Sequence, residues 1–514
     1  MNTTTLASTT LTLALLLLLL RFLVRIYRLQ LLNKETILLD LPNLGRAREE
    51  TEKIPVTVVV CGGSIAGLLA ARVCHDHFER IVIVEPEAWL STEEGRKVKS
   101  WTQDGKRARV MQYTSLHGNL APVTDGLLRL FPNFEEECRR SDINLAPADF
   151  KIYLGGHKFI APHDEFGGSF PLTAMAGRQA TETLVRRLTL NKKMYPNIEQ
   201  IAGIVTGVDA DEKDPRYLKT VRVRTNEGED RELDAALVIE WIKGAGYGSG
   251  PNPLDELTLS YDPRMRYASF KLRLPKDLIS KLPEYERESS TGALFLYKAD
   301  PSVARTYCGA MDAEGEFRVF KKHKSATPIP EWIWKFFDMC QEAEDTMQLS
   351  KVRVPASFWT RYELASHLPA NYIALGDSVT RVNPVFGQGG SKAMMGAVAL
   401  NNVLQDVHTK SLPHDFSRRF FRSQADKISP LWYANKLADY GYDTTVPQHG
   451  ESLSQGAVIR WYLHTLEIMS DKDKQIGSIF WRAMHSYGTS IDALNPLIIV
   501  KFLVQILSFG ISGK

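Results

Sequence analysis

Three glycines and one glutamate lie in a pattern that is typical of ligand-binding turns. Gly62, Gly63 and Gly67 follow an apolar, β-branched run, and Glu85 ends the next such run. Gly62 allows a tight turn, Gly63 lets the backbone approach a pyrophosphate, and Gly67 lets a helix pack close to the strand. Glu85 can accept hydrogen bonds from ribose hydroxyls. The pattern predicts a dinucleotide site, with an ordinary strand-to-helix turn as the alternative.

A second group of polar and small residues occurs far along the chain. A predicted strand at residues 372–375 ends just before Asp377, and the loop that follows leads into a predicted helix at residues 391–404. The loop contains four residues that favour tight turns: Pro384, Gly387, Gly389 and Gly390. The start of such a helix presents free N–H groups and the positive end of the helix dipole. The sequence therefore predicts a second site for an anion or a dipole.

Arg178 begins a predicted amphipathic helix at residues 177–188, where a cation is unfavourable to the helix dipole. We interpret this arginine as a contact to a ligand anion, with a solvated surface arginine as the alternative. Residues 107–120 mix basic, aromatic and hydroxyl side chains, among them Tyr113 and His117. These two residues and Arg178 are the only candidates for an acid or a base, and the sequence assigns no catalytic residue.

Two strands and the helix between them must position the first group. Residues 56–60 and 81–84 are continuous apolar runs, which is how parallel strands buried on both faces look, and residues 68–74 are rich in helix formers. They predict a βαβ unit. Short segments that alternate between apolar and polar residues predict antiparallel hairpins, and further strands follow them, at residues 150–171, 204–209, 221–225, 237–240, 267–275 and 292–297.

Length and composition exclude several classes of protein. The 514 residues are enough for two or three domains, and 44% hydrophobic and 24% charged residues are typical of a globular protein. A net charge of +3 is too small to indicate nucleic-acid binding. The five cysteines are scattered without C-x-x-C spacing, which argues against both a disulfide framework and a metal site.

Both ends of the chain carry apolar runs. Residues 6–24 are nearly long enough to cross a bilayer, and basic residues interrupt or follow the run: Arg21, Arg25, Arg28 and Lys34. The positive-inside rule then predicts a single-pass membrane anchor, with the rest of the chain on the cytoplasmic side of the endoplasmic reticulum. A helix lying in the membrane interface is the alternative. Residues 33–53 look like a polar connector, and residues 496–511 predict a helix that touches the bilayer, or else a buried core helix.

Together the two groups resemble the FAD-dependent monooxygenases of the aromatic-hydroxylase and squalene-epoxidase-like superfamily. The resemblance covers residues 56–404 and rests on GGSIAG…E, an R-x-x-x-x-x-L helix and GDS-x-x-x-x-NPVFGQGG. It implies an α/β fold in which a Rossmann-type FAD-binding domain is interleaved with a mixed β-sheet substrate domain, beside the predicted N-terminal transmembrane helix and a C-terminal helical region. The expected divisions are a membrane anchor at 1–34, FAD-binding parts at 54–150 and 351–410, the mixed sheet at 151–350, and a helical region at 411–514, with membrane association of that region as one alternative.

The resemblance also implies roles for individual residues. In that superfamily the first glycine turn holds the FAD pyrophosphate, and the acidic residue at the position of Glu85 binds the adenosine ribose. The aspartate at the position of Asp377 binds the ribityl chain, and the glycines at Gly389 and Gly390 turn N–H groups toward the isoalloxazine. The full set implied to bind FAD is Gly62, Gly63, Gly67, Glu85, Arg178, Asp377, Pro384, Gly387, Gly389 and Gly390.

Two segments depart from the pattern of the superfamily. In residues 110–117, VMQYTSLH, Thr114 stands where relatives have the arginine of V-P-Q-G-R-H-L-H, which leaves Arg107 or Arg109 for that cationic contact. Residues 240–246, EWIKGAG, lack the aspartate and G-x-G-like turn that contact FAD and nicotinamide in relatives. NAD(P)H is therefore expected to reduce the flavin either directly or through a partner reductase.

The resemblance implies an enzyme that epoxidises or hydroxylates a small molecule through a flavin C4a-hydroperoxide. The predicted anchor and apolar tail favour a lipophilic substrate: a terpenoid, a prenylated aromatic or a polyketide. A flavin-dependent halogenase is one alternative, because Trp332 and Trp334 match part of its W-x-W element, although Lys335 and Phe336 replace the isoleucine and proline that follow. A non-catalytic binding protein on the same fold is the other.

Overall fold

The computed structural model describes residues 3–110, 112–113, 119–149, 153–154, 157–239, 252–273, 278–282, 295–300, 303–309, 331–341 and 348–511. The predictions for Thr114, His117 and residues 240–246 lie outside these residues. The helices are α1 Thr3–Glu35, α2 Ile65–His75, α3 Ala121–Leu130, α4 Phe134–Arg140, α5 Arg178–Thr189, α6 Leu278–Lys281, α7 Glu331–Gln341, α8 Gly389–Gln405, α9 Phe416–Asp439, α10 Ala457–Met469, α11 Lys474–Met484 and α12 Pro496–Ile511.

The strands are β1 Ile54–Cys61, β2 Phe78–Glu85, β3 Asn144–Pro147, β4 Tyr153–Leu154, β5 His157–Lys158, β6 Leu172–Met175, β7 Ile198–Ala210, β8 Leu218–Thr225, β9 Asp230–Asp234, β10 Leu237–Ile239, β11 Thr258–Tyr261, β12 Arg266–Arg273, β13 Phe295–Asp300, β14 Val303–Gly309, β15 Gln348–Arg353, β16 Ser357–Thr360, β17 Tyr372–Ile373 and β18 Thr380–Arg381. Seven of them form the main sheet, in the order β17-β10-β1-β2-β7-β8-β9. The smaller sheets β13-β14-β12-β15 and β11-β16-β18 come mainly from the chain between β10 and β17.

The predicted βαβ unit is confirmed at the centre of the main sheet. Strand β1 pairs in parallel with both β10 and β2. Its valines Val58, Val59 and Val60 have no exposed surface, as expected for a strand covered on both faces. Helix α2 packs against the sheet and against α8. The turn between β1 and α2 therefore lies at the carboxyl edge of parallel strands, where α/β sheets bind ligands.

The main sheet changes from parallel to antiparallel along one strand. The first residues of β7 pair in parallel with β2, and its later residues pair antiparallel with β8. The α/β class with a mixed parallel and antiparallel sheet is thereby confirmed. The boundaries of the five expected divisions stay a prediction.

The prediction of a single-pass membrane anchor is corrected. Among the residues that the structure describes, no helix combines the length and the apolar character needed to cross a bilayer. Helix α1 extends well beyond residues 6–24, and three arginines, Arg21, Arg25 and Arg28, lie on its second half. Arg28 forms a bidentate ion pair with Asp492, in which Nε donates to Oδ1 at 2.6 Å and Nη2 donates to Oδ2 at 3.0 Å. The location at the endoplasmic reticulum, which depended on the anchor, falls with it.

The prediction of a polar connector at residues 33–53 is also wrong. Ile37, Leu41 and Leu44 are buried in the main hydrophobic core, because three apolar side chains in this segment face the sheet and its helices. Beyond the second motif, helices α9 to α12 follow, and α12 forms at residues 496–511, where the sequence predicts a helix. Large apolar side chains of α10 and α12, such as Val458 and Leu507, are exposed.

Candidate functional site

The first glycine turn has little room for side chains. Gly62 adopts a φ of +132°, in the region that favours glycine. A Cβ built on Gly67 would lie 1.9 Å from the carbonyl oxygen of Gly62, so a larger residue would push helix α2 away from β1. A Cβ built on Gly63 would lie 3.0 Å from Oε2 of Glu85. These glycines therefore keep the backbone open at the N-terminus of α2, as the sequence pattern requires.

Glu85 reaches back to the turn from the end of β2. Its carboxylate accepts hydrogen bonds from the backbone N–H of Gly63 at 2.9 Å and of Glu87 at 3.0 Å. The side chain is only 1% exposed. Near it, Oε1 of Gln200 is buried and has no hydrogen-bond partner among the described residues. A buried acceptor without a partner, beside a glycine turn and a carboxylate, fits a site for a polar ligand.

The second motif lies directly against the first. Gly376 has a φ of +59°, and a Cβ built on it would lie 2.8 Å from Cβ of Ala66 in helix α2. Asp377 follows in the same turn and forms a 2.6 Å ion pair with Lys392 of α8, although its side chain is 83% exposed. The charge of Lys392 lowers the pKa of Asp377, and the charge of Arg178 adds to this effect. Two motifs that are far apart in sequence thus form one site.

The loop from Asn383 to Gly390 forms the other wall. Oδ1 of Asn383 accepts a hydrogen bond from the N–H of Val385, which closes a turn over Pro384–Phe386. Gly387 follows with a φ of +66°. Helix α8 begins at Gly389, where a Cβ would meet no described atom within 4 Å. The first N–H groups of α8 have no partner within the helix, and the space beside Gly389 is open, which suits a ligand with a partial negative charge.

Helix α5 brings Arg178 to the first turn. Its guanidinium donates to Oγ of Ser64 at 2.7 Å, directly before α2, and to Glu182 at 3.1 Å. Arg186, one turn beyond Glu182, donates to the carbonyl oxygen of Gly63. The unfavourable position of Arg178 at a helix start is thus offset by Glu182 at i+4. The structure places this arginine between the two motifs.

Glu182 is a site residue that the motifs did not identify, and it is bonded to Arg107, one of the two arginines considered in place of Thr114. Arg107 donates to Glu182 and, at 2.7 Å, to Glu87, and lies 3.3 Å from Glu85. Glu182 has no exposed surface. Burial raises the pKa of Glu182, but the charges of three arginines more than offset this and bring it to about 2. The available signal was the i, i+4 spacing of Arg178, Glu182 and Arg186 in the sequence.

Among the candidates for an acid or a base, Tyr113 is buried, and its hydroxyl donates to Gln103 at 3.2 Å. Burial, followed by the charge of Glu182, raises the pKa of Tyr113 to about 12, which keeps the phenol protonated near neutral pH. Within the described residues no cluster of histidine, cysteine and acidic side chains could hold a metal ion. The site therefore brings backbone N–H groups, carboxylates and arginines together at the starts of α2 and α8.

Comparison with known proteins finds relatives that match most of the chain. No family model matches the chain. Protein Rv3254 of Mycobacterium tuberculosis is 25% identical over 420 residues, which cover 75% of this chain and 80% of the relative. The FAD-dependent monooxygenase andE of Emericella variicolor is 23% identical over 391 residues, which cover 70% and 73% of the two chains. These relatives confirm the resemblance to the FAD-dependent monooxygenase superfamily. The expected oxidoreductase class and FAD cofactor are thereby confirmed.

Solved structures of flavoproteins share the fold of this chain. The flavin-dependent brominase Bmp2 has a TM-score of 0.53 at 11% identity, and the likeness covers 89% of this chain and 99% of the brominase. The p-nitrophenol 4-monooxygenase PnpA of Pseudomonas putida DLL-E4 has a TM-score of 0.51 at 16% identity, covering 85% and 99%. Likeness at this level of identity shows the fold alone. The two proteins are named for different reactions, a bromination and a monooxygenation, so the reaction and the substrate must be argued from the site.

Proposed function

We propose that this protein is an FAD-dependent monooxygenase that epoxidises or hydroxylates a lipophilic small molecule, such as a terpenoid, a prenylated aromatic or a polyketide. The observation that carries the proposal is the close approach of Gly376 to Ala66, which joins the two motifs into one cleft. A Cβ built on Gly376 would lie only 2.8 Å from Cβ of Ala66. A dinucleotide with a flavin at one end spans such a cleft from the start of α2 to the start of α8.

The residues of the cleft suit the parts of FAD in order. The turn at Gly62, Gly63 and Gly67 holds the pyrophosphate on the N–H groups of α2, assisted by the cation of Arg178. Glu85 accepts from the adenosine ribose. At the other end, Asp377 binds the ribityl chain. The turn and helix start formed by Pro384, Gly387, Gly389 and Gly390 would hold the isoalloxazine.

Bound FAD supplies the activation of O2 and the transfer of one oxygen atom. The protein orients the cofactor and stabilises charge. Because α8 starts at Gly389, the positive end of its dipole favours negative charge on the pyrimidine side of the flavin. Electrons come from NAD(P)H, either directly or through a partner reductase.

The substrate class rests on two features. Apolar side chains of α10 and α12 are exposed, for example Val458 at 75% and Leu507 at 65%, and they offer a surface on which a lipophilic molecule can partition. Hydroxylation of a phenol benefits from a base that removes its proton. Tyr113 is protonated near neutral pH, because burial raises its pKa to about 12, and it therefore does not supply such a base.

Flavin content tests the proposal directly. We expect the purified chain to bind one FAD, and Asp377→Ala to weaken FAD binding by at least tenfold, because it removes a charged hydrogen-bonding group. Gly63→Val should have the same effect, since its side chain would displace Glu85. Asp406→Ala, which removes an exposed partner of Arg419, is the matched control and should leave flavin content unchanged.

Turnover separates the alternatives. NAD(P)H oxidation that increases with a lipophilic alkene or aromatic, and yields a product with one added oxygen atom, supports the monooxygenase. A product that forms only with chloride or bromide would instead identify a halogenase. A folded chain that takes up no FAD would overturn the whole proposal.

A further inference from the structure

Helix α9 lies beyond the residues that resemble the superfamily, yet its buried face carries many polar side chains. Each of five such residues is at most 4% exposed: Ser417, Gln424, Lys427, Asn435 and Asp439. Buried polar groups cost free energy unless they are hydrogen-bonded. Four of the five use their hydrogen bonds on the second motif.

The first half of α9 holds the strand that leads to Asp377. The hydroxyl of Ser417 donates to the carbonyl oxygen of Tyr372 in β17 at 2.5 Å. Two turns later, Nε2 of Gln424 donates to the carbonyl oxygen of Ala374 at 2.9 Å. The backbone just before the Gly376 turn is therefore fixed from the side of α9.

The last turns of α9 contact both ends of the 383–390 loop. Nδ2 of Asn383 donates to Oδ1 of Asp439 at 2.8 Å. At the other end, Nδ2 of Asn435 donates to Oε1 of Gln388 at 2.6 Å. Between these buried ends the tip is open, with Val385 64% exposed. Two side chains spaced i, i+4 on one helix thus hold the loop at its two ends.

These contacts act on the backbone that faces the flavin site. Asn383 also closes the turn over Pro384–Phe386, so its orientation sets the direction in which the turn leaves the sheet. Gln388 directly precedes Gly389, whose N–H is one of the first in α8 and has no partner within the helix. A shift of either end would rotate the free N–H groups of α8.

Asp439 is itself fixed from a third element. The hydroxyl of Tyr261, in β11, donates to Oδ2 of Asp439 at 2.8 Å. The ring of Tyr261 packs edge-on against Trp432 of α9, with ring centroids 5.3 Å apart. Both carboxylate oxygens of Asp439 are therefore used, one on the loop and one on the strand beside it.

We propose that Asp439 and Asn435 are positioning residues for the 383–390 loop, and that α9 sets the direction of the N–H groups that bind the isoalloxazine. The consequence for FAD rests on the proposed function, whereas the order of the loop does not. The helix that follows the superfamily-like stretch is then part of the flavin site.

Amide hydrogen exchange on the full chain without added FAD tests the order of the loop. We expect Asp439→Ala and Asn435→Ala to increase exchange at residues 383–390 by at least tenfold, because each releases one end of the loop. Asp439→Asn keeps an acceptor for Asn383 and should restore protection to within about threefold of the unmodified chain. Tyr440→Phe keeps the ring and removes only a hydroxyl whose partners, Glu451 and the N–H of Gln448, are not in the loop, and it should leave this exchange unchanged.

Binding of FAD to the same four variants tests the consequence. We expect about tenfold weaker binding for each alanine variant and less than threefold for Asp439→Asn. Unchanged loop exchange in both alanine variants, or an equal effect of Tyr440→Phe, overturns the positioning role. If the exchange responds as expected but the unmodified chain binds no FAD, the proposed function fails and the positioning role stands.

Discussion

Glu182 illustrates how one side chain organises several others. Its carboxylate has no exposed surface and faces the guanidinium groups of Arg107, Arg178 and Arg186. Burial alone would disfavour the charged form, and the three cations reverse this effect, which lowers the pKa of Glu182 to about 2. Removing such a carboxylate leaves buried positive charge without compensation.

We therefore expect Glu182→Gln to lower the free energy of unfolding by roughly 3–5 kcal/mol at pH 7. Urea denaturation followed by circular dichroism measures this loss. Glu199→Gln is the matched control, because it breaks an exposed ion pair with Arg80, and it should cost less than about 1 kcal/mol. Equal losses in the two variants would contradict the central position of Glu182.

The same variant has a defined pH dependence. The pKa of Glu182 is lower in the folded chain than its ordinary value of 4.5, so its stabilising effect is complete above about pH 5. The effect is lost as the pH falls from 4.5 toward 2, where the folded carboxylate takes up a proton. Unfolding free energies measured between pH 7 and pH 3 should therefore converge for the unmodified chain and Glu182→Gln as the pH decreases.

Helices α2 and α8 come together because small residues line the second motif and the start of α2. Gly376 combines two constraints: a φ of +59°, which disfavours any side chain, and a position against Ala66. In α8, a Cβ on Gly396 would lie 2.6 Å from Cδ2 of Leu375, so glycine at this position also allows close packing. Close approach of the helices brings their N-termini to the same cleft.

Gly376→Ala tests this close approach. We expect a loss of roughly 2–5 kcal/mol in unfolding free energy, which combines left-handed strain of about 1–2 kcal/mol with overpacking against Ala66. Gly228→Ala isolates the strain, since Gly228 has a φ of +90° and no described atom within 4 Å of a built Cβ. Thermal unfolding of both variants measures the difference. Equal destabilisation of the two variants would show that a side chain at Gly376 is not overpacked against Ala66.

In the whole molecule, the end of α1 is tied to the C-terminal helices by charged groups. Nζ of Lys427 in α9 donates to Oδ2 of Asp40 at 2.6 Å and to the carbonyl oxygen of Thr36 at 2.8 Å. Arg28 pairs with Asp492, just before α12. Because α9 also holds the 383–390 loop, the segment that follows α1 and the flavin site share one supporting helix.

Lys427→Met should therefore destabilise the chain by roughly 3–5 kcal/mol, because Asp40 and the carbonyl groups of Asn33 and Thr36 lose a buried donor. Lys474→Met is the matched control: its ion pair with Asp164 is exposed on both sides and should contribute less than about 1 kcal/mol. Urea denaturation at pH 7 compares the two. A similar, small loss in both variants would contradict the supporting role of α9.

The sequence by itself determined the two glycine motifs, Glu85, Asp377 and the βαβ unit. Local patterns suffice there, because a tight turn needs glycine wherever the chain folds and a doubly buried strand needs a continuous apolar run. The same kind of local reading failed at residues 6–24 and 33–53. The hydropathy of a short segment does not show which distant residues that segment contacts in the folded chain.

Only the tertiary structure decided which distant residues complete the site. Arg107 meets Glu182, and Asp439 meets Asn383, through contacts between segments that are 75 and 56 residues apart. Such pairs leave no periodic signal, since hydrogen bonds and ion pairs depend on distance in space rather than on spacing along the chain. For the same physical reason the role of α9 became visible only when its buried face was seen against the 383–390 loop.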